Sequence, residues 1–148
     1  MKDTTNLFIR IHGMAGGQSA CRVASLVAGH ARINLLSPEN AGASLGAQWF
    51  ATLIGRLRTE FPDAVIRGIL DCRGRRASAL AAMETGLDAV LLDDDLPDDL
   101  KARLENLGSK SGCRVITALP DPDRIYETGD DYLPDAELDR RLAAFLAG

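Results

Sequence analysis

The sequence predicts an α/β fold: one domain over residues 1–148, built as a three-layer sandwich around five mostly parallel strands, flavodoxin-like or Rossmann-like. Three observations predict it. Short apolar runs alternate along the chain with stretches whose apolar residues recur at helical spacing. The later runs, AVIRGIL at 64–70 and AVLL at 89–92, are nearly continuous, as strands covered on both faces are. A chain of 148 residues with 46% hydrophobic composition is also long enough for one sizeable core. Right-handed crossovers restrict the topology further, but they leave strand order unread.

The elements follow in order. Residues 7–11 read as a strand, and Ala20, Val23, Ala24 and Val27 then recur on one helical face, with Gly29 as a C-terminal stop. Residues 33–36 are a short second strand. A long helix follows, in which Leu45, Trp49, Leu53, Leu57 and Phe61 form an i, i+4 ridge that Phe50 and Ile54 widen. Pro62 ends it. Small residues at its start (Gly42, Ala43, Gly46 and Ala47) permit close approach of another backbone, and Trp49 is expected in the core. Residues 64–70 are the third strand, and its helix runs through ASALAAMET to a stop at Gly86.

The fourth strand spans 89–92. Pro97 suits the first turn of the next helix, where Asp98 and Asp99 complement its dipole. Leu100, Leu104 and Leu107 line that helix and Gly108 is expected to close it. Residues 113–119 are the fifth strand. Residues 120–134, PDPDRIYETGDDYLP, read as an irregular acidic segment of the kind that contacts a partner or forms a lid. A helix over about 135–146 completes the chain, capped by Asp135 and faced by Leu138, Leu142 and Phe145.

Composition restricts the function classes. Lys and Arg total 17 against 21 Asp and Glu, a net charge of −4, and no concentrated basic stripe is present. Neither nucleic acid nor a membrane surface is expected as a partner. Cys21, Cys72 and Cys113 are odd in number, far apart and without a CxxC pair, so neither a disulfide framework nor a zinc site is expected. No metal and no cofactor is assigned. The apolar run near the N-terminus is too short for a signal peptide or a membrane span, and a cytoplasmic location is the expectation. Oligomeric state is not encoded in any pattern.

In open parallel sheets ligands bind beyond the carboxyl ends of the strands. Those ends carry His12, Ser37, Asp71, Cys72, Asp93 and Asp121. Cys72 stands out, because a thiol at a helix start beside Arg73, Arg75 and Arg76 should have a depressed pKa. With Gly74 the arginines could hold an anion against the helix amides. The stretch LDCRGRRAS resembles the active loop of rhodanese-type sulfurtransferases, Cys72, Arg73, Gly74 and Arg76 matching in kind. Gly29-His30 ahead of INL, and GLDAVLL after the helix, keep that family's order. The resemblance implies a nucleophilic, persulfide-carrying Cys72 and a donor anion held by Arg73 and Arg76. The loop is one residue shorter than the family's, and DDDLP stands where Gly-Gly and Trp are expected.

HGMAGGQS at 12–19 reads as a glycine-rich turn able to cradle phosphate through Gly13, Gly16, Gly17 and Ser19. It resembles a P-loop, with His12 in place of the first glycine and Gln18 in place of the lysine. AVLLDDDLP resembles the phosphoacceptor strand of receiver domains, which implies Asp93 as the acceptor, although the first strand lacks the family's acidic pair. Every catalytic template thus loses an essential residue. The expected function is a non-catalytic module binding a small anionic ligand or a protein partner. A rhodanese-like sulfurtransferase using Cys72 is the alternative, and a receiver-like regulatory domain using Asp93 is the third reading.

Overall fold

The computed structural model describes residues 6–28, 32–130 and 132–148. In chain order the elements are β1 (Phe8–Arg10), α1 (Met14–Ala28), β2 (Arg32–Leu36), α2 (Ala41–Ser44), α3 (Ala47–Glu60), β3 (Val65–Asp71), α4 (Ala77–Met83), β4 (Ala89–Leu91), α5 (Asp98–Ser111), β5 (Arg114–Ile116), β6 (Ile125–Glu127) and α6 (Asp135–Ala147). The class is α/β, with a parallel six-stranded sheet in the order β5-β4-β3-β2-β1-β6. The sequence predicts five of these strands; β6 lies in the segment read as irregular. The predicted stop at Gly29 and the Gly29-His30 pair fall outside the described residues. Among the described residues no helix is long and apolar enough to cross a membrane.

The chain divides into two compact units. One comprises Met1–Leu36, Leu53–Arg67 and Pro120–Gly148, the other Ser37–Thr52 and Gly68–Leu119. In the first, β1 lies between β2 and β6 and is parallel to both, Phe8 pairing with Asn34 and with Ile125. The sequence leaves strand order unread; the register with β1 is what places β6 at this position. A three-residue strand shows no alternation to read, so β6 is identified only through its register with β1. Tyr126 of β6 stacks on Phe145 of α6, ring centroids 4.9 Å apart. Leu138, Leu142 and Leu146 form the buried stripe of α6, and Ser19 and Arg22 of α1 bind Asp139 on its flank.

Helix α1 begins at Met14, so Gly16 and Gly17 are helical and not part of a loop. Gly17 is needed for packing: a Cβ there would lie 2.5 Å from the Leu57 side chain. The residual loss of helix propensity is about 1 kcal/mol per glycine, set against the shift of the buried Leu57 side chain that a larger residue at 17 would require.

In the second unit β3, β4 and β5 run parallel, with Ile69, Ala89 and Arg114 in register. The predicted long helix is broken: α2 ends before Gly46, whose φ of +89° is a left-handed conformation, and α3 begins at Ala47. The break leaves Leu45 half exposed, and Trp49 is only part-buried, its ring centroid 6.0 Å from that of the buried Phe50. Small residues at α2 do permit close approach. A Cβ on Gly42 would lie 3.0 Å from both Cys72 Sγ and Ser78 Cβ, and the Ser78 hydroxyl donates to the Gly42 carbonyl at 2.7 Å.

Gly108 does not close α5. The helix continues to Ser111, and Gly112, with φ +76°, is the left-handed cap. Gly108 has a different reason for being glycine, since a Cβ there would lie 2.2 Å from the Cys113 carbonyl oxygen.

Candidate functional site

The loop after β3 turns on Gly74, whose φ of +85° favours glycine, and the Arg75 N–H closes the turn onto the Cys72 carbonyl at 3.1 Å. An anion cradle needs free amides, and here the protein itself uses several of them. The N–H of Arg73 donates to Asp71 Oδ1 at 3.0 Å and that of Gly74 to Asp93 Oδ2 at 3.2 Å. The N–H groups of Ser78 and Ala79 reach back to the carbonyls of Arg75 and Arg76. Helix α4 is also only seven residues long.

Cys72 itself is completely buried. Burial pushes its thiol up to about 12, with the Asp71 charge adding to the effect. The expected depression of this pKa is therefore corrected in sign: the thiol lies in the interior against Gly42, away from the arginines' solvated charge. Cys21 and Cys113 are likewise buried free thiols, pushed by desolvation to about 12 and about 11.

Arg73, Arg75 and Arg76 do not act together. Arg73 closes a fork on Asp71, Nε to Oδ1 at 3.0 Å and Nη2 to Oδ2 at 2.7 Å. The Asp71 side chain is wholly buried and that of Arg73 is 34% exposed. Ser37 supports the pair from below, its hydroxyl accepting the Asp71 N–H at 2.9 Å. Arg76 makes only an exposed 3.7 Å ion pair with Asp95, of a kind that contributes little. Arg75 is exposed.

Beyond the carboxyl ends of β3, β4 and β5 lies a crevice of about 230 Å³. Arg73, Asp93, Asp94 and Thr117 give it polar lining, and Leu91, Leu92 and Leu119 complete it. That space is large enough for a small molecule. Sequence reasoning singled out Arg73 and Asp93 but not Thr117 or Asp94 as lining. Their convergence depends on the parallel register of β4 and β5, which no local pattern reveals.

The glycine-rich stretch at 12–19 is occupied by the protein's own acid. Asp130 accepts the N–H of Gly16 at 3.0 Å and that of His12 at 3.2 Å, and the Thr128 hydroxyl donates to it at 2.8 Å. Gly13 lies against the same carboxylate, and Ser19 bonds Asp139 at 2.5 Å. A carboxylate here supplies the negative charge that a helix N-terminus attracts. His12 Nε2 pairs with the Glu127 carboxylate, which also meets Arg10 at 3.6 Å. Asp130 and Glu127 were missed in the sequence because their partners lie over a hundred residues away. Asp121 is exposed at the start of a 3₁₀ turn. Among the described residues no group of three or more His, Cys, Asp or Glu could hold a metal ion.

Compared with known proteins, the chain matches no protein-family model and no curated relative.

Proposed function

We propose that this chain is a non-catalytic binding module whose ligand seat is the crevice beyond β3, β4 and β5. The observation that carries the reading is Arg73 at the edge of that crevice. Its guanidinium is fixed by a two-point fork on buried Asp71, which leaves Nη1 outside the pair. A pre-positioned guanidinium loses little rotamer freedom when an anionic group arrives, so it favours recognition of a small polar ligand with such a group. Thr117 adds a hydroxyl that can donate or accept.

The burial of Cys72 counts against a thiol enzyme, because the nucleophile would have to be a thiolate and burial opposes ionisation. A receiver-like role for Asp93 lacks a first-strand acidic partner, His12 and Gly13 standing there. Three buried free thiols favour a reducing setting, and the cytoplasm is the location we assign.

A screen of charged small molecules, read through backbone amide shifts of the isotopically labelled protein, tests the reading. Saturable shifts confined to Arg73, Gly74, Asp93, Asp94 and Thr117 are expected. Shifts elsewhere, or none across the screen, would remove the crevice as the seat.

A further inference from the structure

The charges around the crevice do not suit a ligand of one sign. Arg73 is the cation among the lining side chains; its fork with the buried Asp71 uses Nε and Nη2, and Nη1 stays outside the pair on a side chain 34% exposed. Asp93 and Asp94 both line the same space. Asp93 is only part-engaged, one oxygen accepting the Gly74 N–H at 3.2 Å. A doubly anionic ligand would meet Arg73 but would bring its second charge towards two carboxylates. A dication would satisfy those carboxylates and bring like charge to the guanidinium. Each mismatch brings like charges together and opposes binding.

We propose that the ligand of this crevice is a small zwitterion, an amine and a carboxylate on one short chain. Its carboxylate meets Arg73 Nη1 and its ammonium meets Asp93 and Asp94. This inference rests on the crevice reading and adds the charge pattern of the ligand. The apolar lining from Leu91, Leu92 and Leu119 suits the methylene spacer between the two ends.

Three compounds with the same four-carbon backbone separate the possibilities: γ-aminobutyrate, succinate and putrescine. Titration calorimetry on the full chain is expected to give γ-aminobutyrate an affinity at least about tenfold above either of the others, a difference of about 1.4 kcal/mol. Asp93→Asn keeps an oxygen for the Gly74 N–H while removing the charge. It should weaken γ-aminobutyrate about tenfold and narrow the gap to succinate. Equal or tighter binding of succinate or putrescine overturns the zwitterion. If that binding still responds to Asp93→Asn, the crevice stands as the seat. Silence from all three compounds also overturns the zwitterion, and the crevice then stands or falls by the amide-shift screen alone.

Discussion

The Asp130 carboxylate accepts the backbone N–H of Gly16 at 3.0 Å, joining the first turn of α1 to a residue 114 positions further along the chain. The bond and the glycine require each other. A Cβ on residue 16 would sit 2.6 Å from Asp130 Cγ, closer than any real contact. The stretch that reads as a phosphate cradle is therefore a helix start capped from within, beyond the end of β1 where the chain order of strands reverses.

Gly16→Ala is expected to cost about 1–3 kcal/mol through overpacking. Asp130→Ala should cost about 0.5–2 kcal/mol by uncapping α1. Because alanine at 16 needs the space that alanine at 130 vacates, the double variant should fall short of the sum by more than about 0.5 kcal/mol. Urea denaturation of the four proteins measures this. Strict additivity would show that the two residues do not interact.

Cys72 should resist alkylation by iodoacetamide in the native protein and react once urea unfolds it. Its thiol is pushed up to about 12, above the value near 9 that it recovers on unfolding. A raised native pKa contributes stability that is complete below the unfolded value and lost as pH climbs towards the native one. Stability should thus decline between about pH 9 and 12, by up to about 1.4 kcal/mol per pH unit for one thiol. Urea midpoints at rising alkaline pH should fall less steeply for Cys72→Ala than for the parent; parallel slopes would refute the assignment.

Gly108→Ala and Gly112→Ala should rank against simple expectation. Gly112 has the left-handed φ of +76°, and alanine there costs about 1–2 kcal/mol. Gly108 lies inside α5, where alanine ordinarily adds about 0.8–1.0 kcal/mol. Its missing Cβ, however, leaves room for the Cys113 carbonyl, which a methyl group would approach to 2.2 Å. We expect a loss of about 3 kcal/mol from Gly108→Ala, the larger of the two. Thermal denaturation of both variants decides it, and a stabilised Gly108→Ala protein would contradict the close approach.

Arg73→Leu should destabilise the fold by about 3–5 kcal/mol, because it strands the buried Asp71 carboxylate. Adding Asp71→Asn should recover much of that loss, since a neutral amide is less costly to bury. Chemical denaturation of the single and double variants checks this. A single variant as stable as the parent would mean that the fork does not hold Arg73 in place.

Regions with a repeating local pattern were legible in the sequence. The strand at 64–70 needed only its continuous apolar residues, and the last helix only the spacing of Leu138 and Leu142. Gly86, with φ +81°, was also readable as a turn after its helix, because a single residue's conformational freedom marks it. Gly108 marks the limit: the sequence reads it as the end of its helix, and only the structure shows it to be a packing glycine against the Cys113 carbonyl, with Gly112 as the cap.

The sequence by itself determined the α/β class, most of its elements and the positions of the polar strand ends. These depend on contacts a few residues apart, whose periods are visible in the chain. Tertiary structure alone decided that β6 exists and lies beside β1, that Cys72 faces the interior, and that Asp130 fills the turn at 12–19. It also brought Arg73, Asp93, Asp94 and Thr117 around one crevice. Each of these outcomes rests on partners brought together by strand order and register, and burial sets the sign of a thiol's pKa shift only once those partners surround it.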